Sequence, residues 1–213
     1  MPKTDRKGQA EVLSQDQLDQ LWIELDQPHR IITQLAYYTA SRIGEVCQLR
    51  AEDIRAGKVV ITQTKTGKTK EVVIVPQLEQ AIVQAGLPTK GYLFPSAKWT
   101  RATVKRYRID RSQTPIGDKR YHFNLVRESA GPRPHISARA VDKALRRTCE
   151  LLGLEGVSTH SFRRSLATHL YDAGVPLRQI MEITGHATLA SLTSYLDVDK
   201  RAAGDALMGF FAG

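Results

Sequence analysis

One stretch constrains the chain more than any other. Residues 159–196 read THSFRRSLATHLYDAGVPLRQIMEITGHATLASLTSYL and hold three of the six histidines and a double arginine. His160 and Arg163 are three apart in a run that reads as helix, so both leave one face. Phe162, Leu166, Leu170 and Ala173 fall on the other face and are expected to anchor it in a core. An arginine fork suits non-bridging phosphate oxygens, and an imidazole gives or takes a proton near neutral pH. Gly174, Val175 and Pro176 end that helix and start another, which stops at Gly185 with His186 directly after it. A short, mildly apolar run over 187–196 carries Tyr195. A phenol, with an ordinary pKa of about 10, becomes a nucleophile toward phosphorus where cationic groups favour phenolate.

The spacing carries a resemblance. His160-Ser161-Phe162-Arg163, then Gly185-His186, then Tyr195 nine residues after that histidine resemble the signature of the tyrosine recombinase (phage integrase) family. H-x-x-R alone occurs in many helices; the three parts at these separations are far more specific. Upstream, Thr39-Ala40-Ser41-Arg42-Ile43-Gly44-Glu45 resembles the family's first arginine box, T-G-x-R-x-x-E, with Ala40 where the family commonly has glycine. The resemblance implies that Arg42 and Arg163 hold a DNA phosphate and that Glu45 is a buried partner orienting the site. It further implies that His160 moves a proton to or from the tyrosine, that His186 donates to the phosphate, and that Tyr195 is the nucleophile.

Composition agrees with a polyanionic partner. The chain has 213 residues, 41% hydrophobic and 25% charged, enough for one globular domain with a real core. Its net charge is +9 and its pI about 9.7. Cys47 and Cys149 sit in helix-like segments and read as buried reduced thiols in a cytosolic protein. No metal-ligand spacing occurs, no apolar run approaches the roughly 20 residues of a membrane span, and the N-terminus is not a signal peptide.

Taken in order, residues 1–11 are polar and read as a disordered tail. Ser14 with Gln17 predicts a capping box for a first helix through Trp22 and Leu25; a second helix covers 31–39. Residues 58–62 and 70–75 are β-branched runs joined by a basic turn containing Gly67, which predicts a hairpin. In the family such a hairpin delivers a catalytic lysine. Lys65 matches best, as the acid for the leaving oxygen, and Lys68 is the alternative or a DNA contact. Pro76 ends the strand, and a short helix over 78–85 closes at Gly86. Residues 97–135 carry ten Lys or Arg against three acids, with Trp99, Tyr107, Tyr121 and Phe123 interleaved. They read either as DNA contacts or as a solvated excursion. Ser137 caps a helix over 138–152 with Ala140, Ala144, Leu145 and Leu151 on its apolar side. Arg139 on that helix, and Arg164 beside the second arginine box, are candidate DNA-backbone contacts or surface arginines.

The resemblance runs from about residue 12 to the end. It implies an α+β, mainly helical fold: an integrase-type tyrosine recombinase catalytic domain over 12–213 with a small antiparallel β-sheet at 58–75. Most family members carry a separate N-terminal DNA-clamping domain, which the 11 or so residues ahead of the resemblance are not expected to supply, and their C-terminal helices, here expected over 200–213, often pass between protomers. The expected function is site-specific recombination of double-stranded DNA through a 3′-phosphotyrosyl intermediate, without metal, cofactor or ATP. Self-association as a tetramer on DNA, accessory DNA-bending proteins, a cytoplasmic, nucleoid-associated location and no membrane partner go with it. A type IB topoisomerase and a non-catalytic DNA-binding regulator on the same fold are the alternatives. A metal nuclease has no carboxylate cluster near the motifs to support it.

Overall fold

The computed structural model describes residues 9–64, 67–96, 103–109, 123–130 and 134–196, with 103–109 and 123–130 described by their backbone alone. Most of residues 97–135, the segment 200–213 and residues 1–8 of the expected tail lie outside the described residues. The elements are α1 (Gln15–Glu24), α2 (His29–Tyr38), α3 (Ile43–Val46), β1 (Ile54–Arg55), β2 (Lys58–Thr62), β3 (Thr69–Val73) and α4 (Pro76–Ala85). They continue as β4 (Thr103–Ile109), β5 (Phe123–Ala130), α5 (Ala138–Leu152), α6 (Ser161–Asp172), α7 (Leu177–Thr184) and α8 (Leu189–Thr193).

The capping box forms as expected: Gln17 N donates to Ser14 Oγ, and Ser14 N donates to Gln17 Oε1. Helix α2 is the centre of the core. Its Ile31, Ile32, Leu35 and Ala36 are fully buried, and it packs against α3, α4, α5 and α6. Each such isoleucine or leucine stabilises by about 1.5–3 kcal/mol. A smaller core of Ala167, Ile180, Leu192 and Leu196 joins α6, α7 and α8. No described helix is long and apolar enough to cross a membrane.

The sheet runs β1-β2-β3, antiparallel throughout. Val59 and Ile61 of β2 are fully buried. Ile61 pairs with Lys70 of β3, so both side chains share the covered face. Strand β1 and the antiparallel pair β4–β5 add to the single expected hairpin.

Four expectations change. Residues 9–11 are not tail-like: Glu11 N donates to Gly156 O at 3.1 Å, and Gln9 and Ala10 are bonded to the site side of the fold. Helix α4 starts at Pro76 itself, whose fixed φ suits the first helical position. Helix α5 buries Val141, Leu145 and Cys149, three residues spaced four apart, and leaves Leu151 71% exposed. Helix α6 has no polar face: Arg163, Arg164, Ser165 and Thr168 are as buried as Phe162, while Ala173 is exposed. Cys47 and Cys149 are buried and not disulfide-bonded.

Candidate active site

The first arginine box is a tight turn off the end of α2. Ala40 stands at φ 48°, in the left-handed region, where a Cβ costs about 1–2 kcal/mol. This is the position where the resemblance led one to expect glycine. The turn delivers Arg42 to the start of α3, where Glu45 clamps it twice. Arg42 N donates to Glu45 Oε2 at 3.0 Å, and Arg42 Nη1 donates to Glu45 Oε1 at 2.8 Å. The Glu45 side chain is fully buried and that of Arg42 is 36% exposed. Burial pushes the Glu45 carboxyl up, but hydrogen bonds from Arg42 backbone and side chain, the Arg42 charge and the Thr64 amide outweigh it and leave the pKa lowered. Thr64 N reaches Glu45 Oε1 at 3.3 Å, so Glu45 also holds the residue before Lys65. Lys65 itself lies outside the described residues. Lys68 is exposed on the hairpin.

Arg163 is buried on α6, and its Nη1 donates to the Ala40 carbonyl at 2.8 Å. Its Nε is buried with no hydrogen-bond partner among the described residues. The guanidinium carbon lies 5.9 Å from the Tyr195 ring centroid. Burial, and then the neighbouring Arg42 charge, lower the Arg163 pKa, with Tyr195 and Glu45 opposing.

His186 follows the left-handed cap Gly185 at the end of α7. Its ring centroid is 4.8 Å from that of Tyr195, tilted by 55°. Its Nδ1 lies 2.7 Å from Thr184 Oγ1, and that hydroxyl donates to Ile180 O at 2.6 Å. A hydroxyl has one proton. With that proton on Ile180 O, the hydrogen-bond pattern assigns the other to Nδ1 and leaves Nε2 as an acceptor. Burial, then the charges of Arg163, Arg42 and Lys70, push the His186 pKa down to about 4. The neutral imidazole is therefore the form at neutral pH. Donation to a phosphate through Nε2 requires a second proton, which the phosphate's negative charge favours.

His160 is exposed at the N-cap of α6 and shares a cavity of about 250 Å³ with Tyr195, Ser158 and Arg164. Arg163, His186, Arg42 and Tyr195 thus converge, and His160 lines a cavity with the same tyrosine. Two expected DNA contacts differ in placement. Arg139 is exposed near the start of α5. Arg164 is buried, its guanidinium on Tyr195 O, Ala10 O and Gln9 Oε1, because residues 9–10 cover it.

Lys70 was not singled out from the sequence. Its Nζ donates to Thr39 O at 2.5 Å, Ile183 O at 3.2 Å and Ala40 O at 3.4 Å. Burial, then Arg163, pull its pKa down to about 7, with Glu45 opposing and Arg42 adding to the fall. Gln63 was missed as well; its Nε2 donates to Gly185 O at 3.3 Å. The pairing of Lys70 with Ile61 turns it inward, a register that the sequence alone does not give.

A helical domain with two buried or half-buried arginines, a histidine and a tyrosine around one point is an integrase-type catalytic domain. The chain belongs to the phage integrase family, whose profile matches residues 11–202. Among relatives, the tyrosine recombinase XerA of Thermococcus kodakarensis is 27% identical over 169 residues, 79% of this chain and 50% of the relative. The tyrosine recombinase XerC of Syntrophus aciditrophicus is 27% identical over 207 residues, 92% of this chain and 59% of the relative. The chain thus spans about half the length of the relatives it matches. Its fold is that of the XerA recombinase crystal structure (TM-score 0.64, 18% identity, 96% of this chain and 66% of that one). The catalytic domain of bacteriophage HP1 integrase is similar over 88% of this chain and 87% of its own length (TM-score 0.57, 20% identity). XerH, solved in a post-cleavage complex with its palindromic difH substrate, is similar over 96% of this chain and 54% of its own (TM-score 0.64, 17% identity).

Proposed function

We propose that this chain is the catalytic domain of a site-specific recombinase that cuts and rejoins double-stranded DNA through a covalent link to Tyr195. The observation that carries this reading is the meeting of Arg163, His186 and Tyr195, from α6, the end of α7 and the end of α8, beside Arg42. The Arg163 Nε, buried without a hydrogen-bond partner among the described residues, supports it further. A buried donor left unsatisfied costs about 1–3 kcal/mol, and an oxygen from outside the protein, such as a phosphate's, would return that.

In the proposed reaction the Tyr195 oxygen attacks phosphorus, the bond to the 5′ oxygen breaks, and a 3′-phosphotyrosyl link remains. Arg42 and Arg163 neutralise the non-bridging oxygens as charge develops there. The phenol proton leaves toward His160 or the bare Nε2 of His186, and Lys65 protonates the departing 5′ oxygen. The link keeps the energy of the phosphodiester, so a 5′ hydroxyl from another strand reverses the step without metal, cofactor or ATP. XerH, solved on its difH substrate, supports duplex DNA as the partner. The net charge of +9 agrees with it. Self-association on DNA belongs to the same reading.

The test is a nicked suicide DNA carrying a candidate site, incubated with wild type and Tyr195→Phe and resolved on a denaturing gel. A covalent adduct in wild type alone supports the reading. Wild type that binds its cognate site and forms no adduct moves the chain to a non-catalytic DNA-binding role.

A further inference from the structure

The double arginine of α6 divides its work. Consecutive helix residues diverge by about 100° around the axis, so Arg163 and Arg164 face different parts of the site. Arg163 reaches the Ala40 carbonyl. Arg164 turns to the nucleophile's own backbone: its Nε donates to Tyr195 O at 2.9 Å, its Nη1 to Ala10 O and its Nη2 to Gln9 Oε1 at 2.8 Å. Gln9 closes the circuit, its Nε2 donating to Ser194 O at 3.0 Å. Glu11 N then ties the strap to Gly156, just ahead of α6.

We propose that Arg164 is a positioning residue for Tyr195 and that the segment at Gln9–Ala10 forms part of the tyrosine's mount, transmitting displacement of the chain's entry to the nucleophile. This rests on the recombinase reading for its consequence, though not for the contact itself. Helix α8 is five residues long and buries only Leu192, so packing alone fixes it weakly. Its last carbonyls have no partner further along the helix. A guanidinium there satisfies one of them and faces the negative end of the peptide dipoles. Arg164 is buried against these neutral oxygens, and a fork of fixed geometry holds several acceptors at once where an ammonium cannot. Of the three hydrogen bonds from Arg164 to Tyr195 O, Ala10 O and Gln9 Oε1, two run through residues 9–10. Pulling that segment away removes them together and exposes Arg164.

Two measurements on Arg164→Lys and Gln9→Ala test the mount. The first is amide hydrogen exchange on the DNA-free protein. Exchange over 190–196 is expected to rise about tenfold in Arg164→Lys and less in Gln9→Ala, with α5 amides unchanged. A merely structural loss would raise exchange in α5 as well. Unchanged exchange over 190–196 in both variants overturns the proposal, whatever the protein does on DNA. The second is adduct formation at saturating suicide DNA, expected to slow by about tenfold or more in Arg164→Lys with DNA affinity held. Equal slowing through weaker binding alone would make Arg164 a DNA contact and overturn the proposal. Absence of adduct in wild type would instead refute the recombinase reading and leave the exchange result to decide the mount.

Discussion

Arg163 and Ala40 meet at one carbonyl oxygen, with Nη1 donating at 2.8 Å across 123 residues of chain. Lys70 Nζ approaches the same oxygen at 3.4 Å. The carbonyl has two lone pairs, so one turn registers the second arginine-bearing helix and the sheet against the first arginine box. Ala40 holds a left-handed φ of 48° to present that oxygen. The site is therefore assembled through backbone carbonyls as well as through its charged partners.

Glu45 is the charged partner that matters most. Glu45→Gln keeps the shape but removes the charge that holds Arg42 and the Thr64 amide. Loss of about 1–3 kcal/mol is expected, below a fully buried pair because Arg42 is one-third exposed. Adduct formation falls with it. The folded Glu45 pKa lies below the ordinary 4.5, so its contribution is present above that value and is lost as pH falls through the folded pKa. Urea unfolding from pH 7 down to pH 3 should show wild type converging on Glu45→Gln. A constant gap between them would remove Glu45 from this role.

Lys70 shifts in the same direction as Glu45, but its window lies at higher pH. Its pKa falls to about 7 in the folded chain from an ordinary 10.5. Between those values the unfolded chain binds a proton that the folded chain has released, so stability rises with pH across that window. The groups facing it are Arg163 on α6, Arg42 and Glu45 around α3, and the carbonyls of Thr39, Ala40 and Ile183. Lys70→Met should flatten this rise and release α7 from the arginine box, slowing adduct formation by about tenfold. Parallel stability curves for the two proteins from pH 6.5 to 9.5 (roughly the window the linkage relation sets) would contradict the assignment.

Gly185 is where His186 is aimed. It has φ 70°, and a Cβ there would lie 2.1 Å from Gln63 Nε2. Gly185→Ala is expected to lose about 1–2 kcal/mol, chiefly through the left-handed backbone, and to displace Gln63 from the Gly185 carbonyl. Gln63→Ala removes that same bond. A double-mutant cycle by thermal unfolding should therefore be non-additive, the pair losing less than the sum of the singles. Strict additivity would mean that Gln63 and Gly185 do not communicate.

Much of the site was legible because its chemistry sits in residue types at fixed separations. Arg42, Glu45, Arg163, His186 and Tyr195 all come together as the motifs imply. What stayed hidden depends on long-range pairing. Lys70 reads as one more strand lysine until its register against Ile61 is known. Arg164 reads as a DNA-backbone contact or a surface arginine until residues 9–10, more than 150 positions earlier, are laid over it. On α5, Leu151 outranks Val141 and Cys149 in no local sense; only the helix's phase against α1, α2 and α3 selects the stripe 141, 145 and 149. Local pattern chooses the element, and the tertiary neighbour chooses its face.

Thr184 offers the sharpest chemical test. Its hydroxyl is placed to donate to Ile180 O, which assigns the imidazole proton to Nδ1 and leaves Nε2 as an acceptor. Thr184→Val keeps the volume and removes the acceptor. The imidazole is then expected to move its proton to Nε2, visible in the ¹⁵N shifts of the His186 ring at neutral pH. Its pKa of about 4 keeps the ring neutral there, so the tautomer, not the charge, is read. With Nε2 already protonated, His186 can donate to a phosphate without taking up a second proton but can no longer accept from the phenol. Slower adduct formation in Thr184→Val, by about tenfold, would mean that accepting is the role that counts. A faster rate would mean that donating is. Wild-type protein found with its proton on Nε2 would show that Thr184 does not set the tautomer.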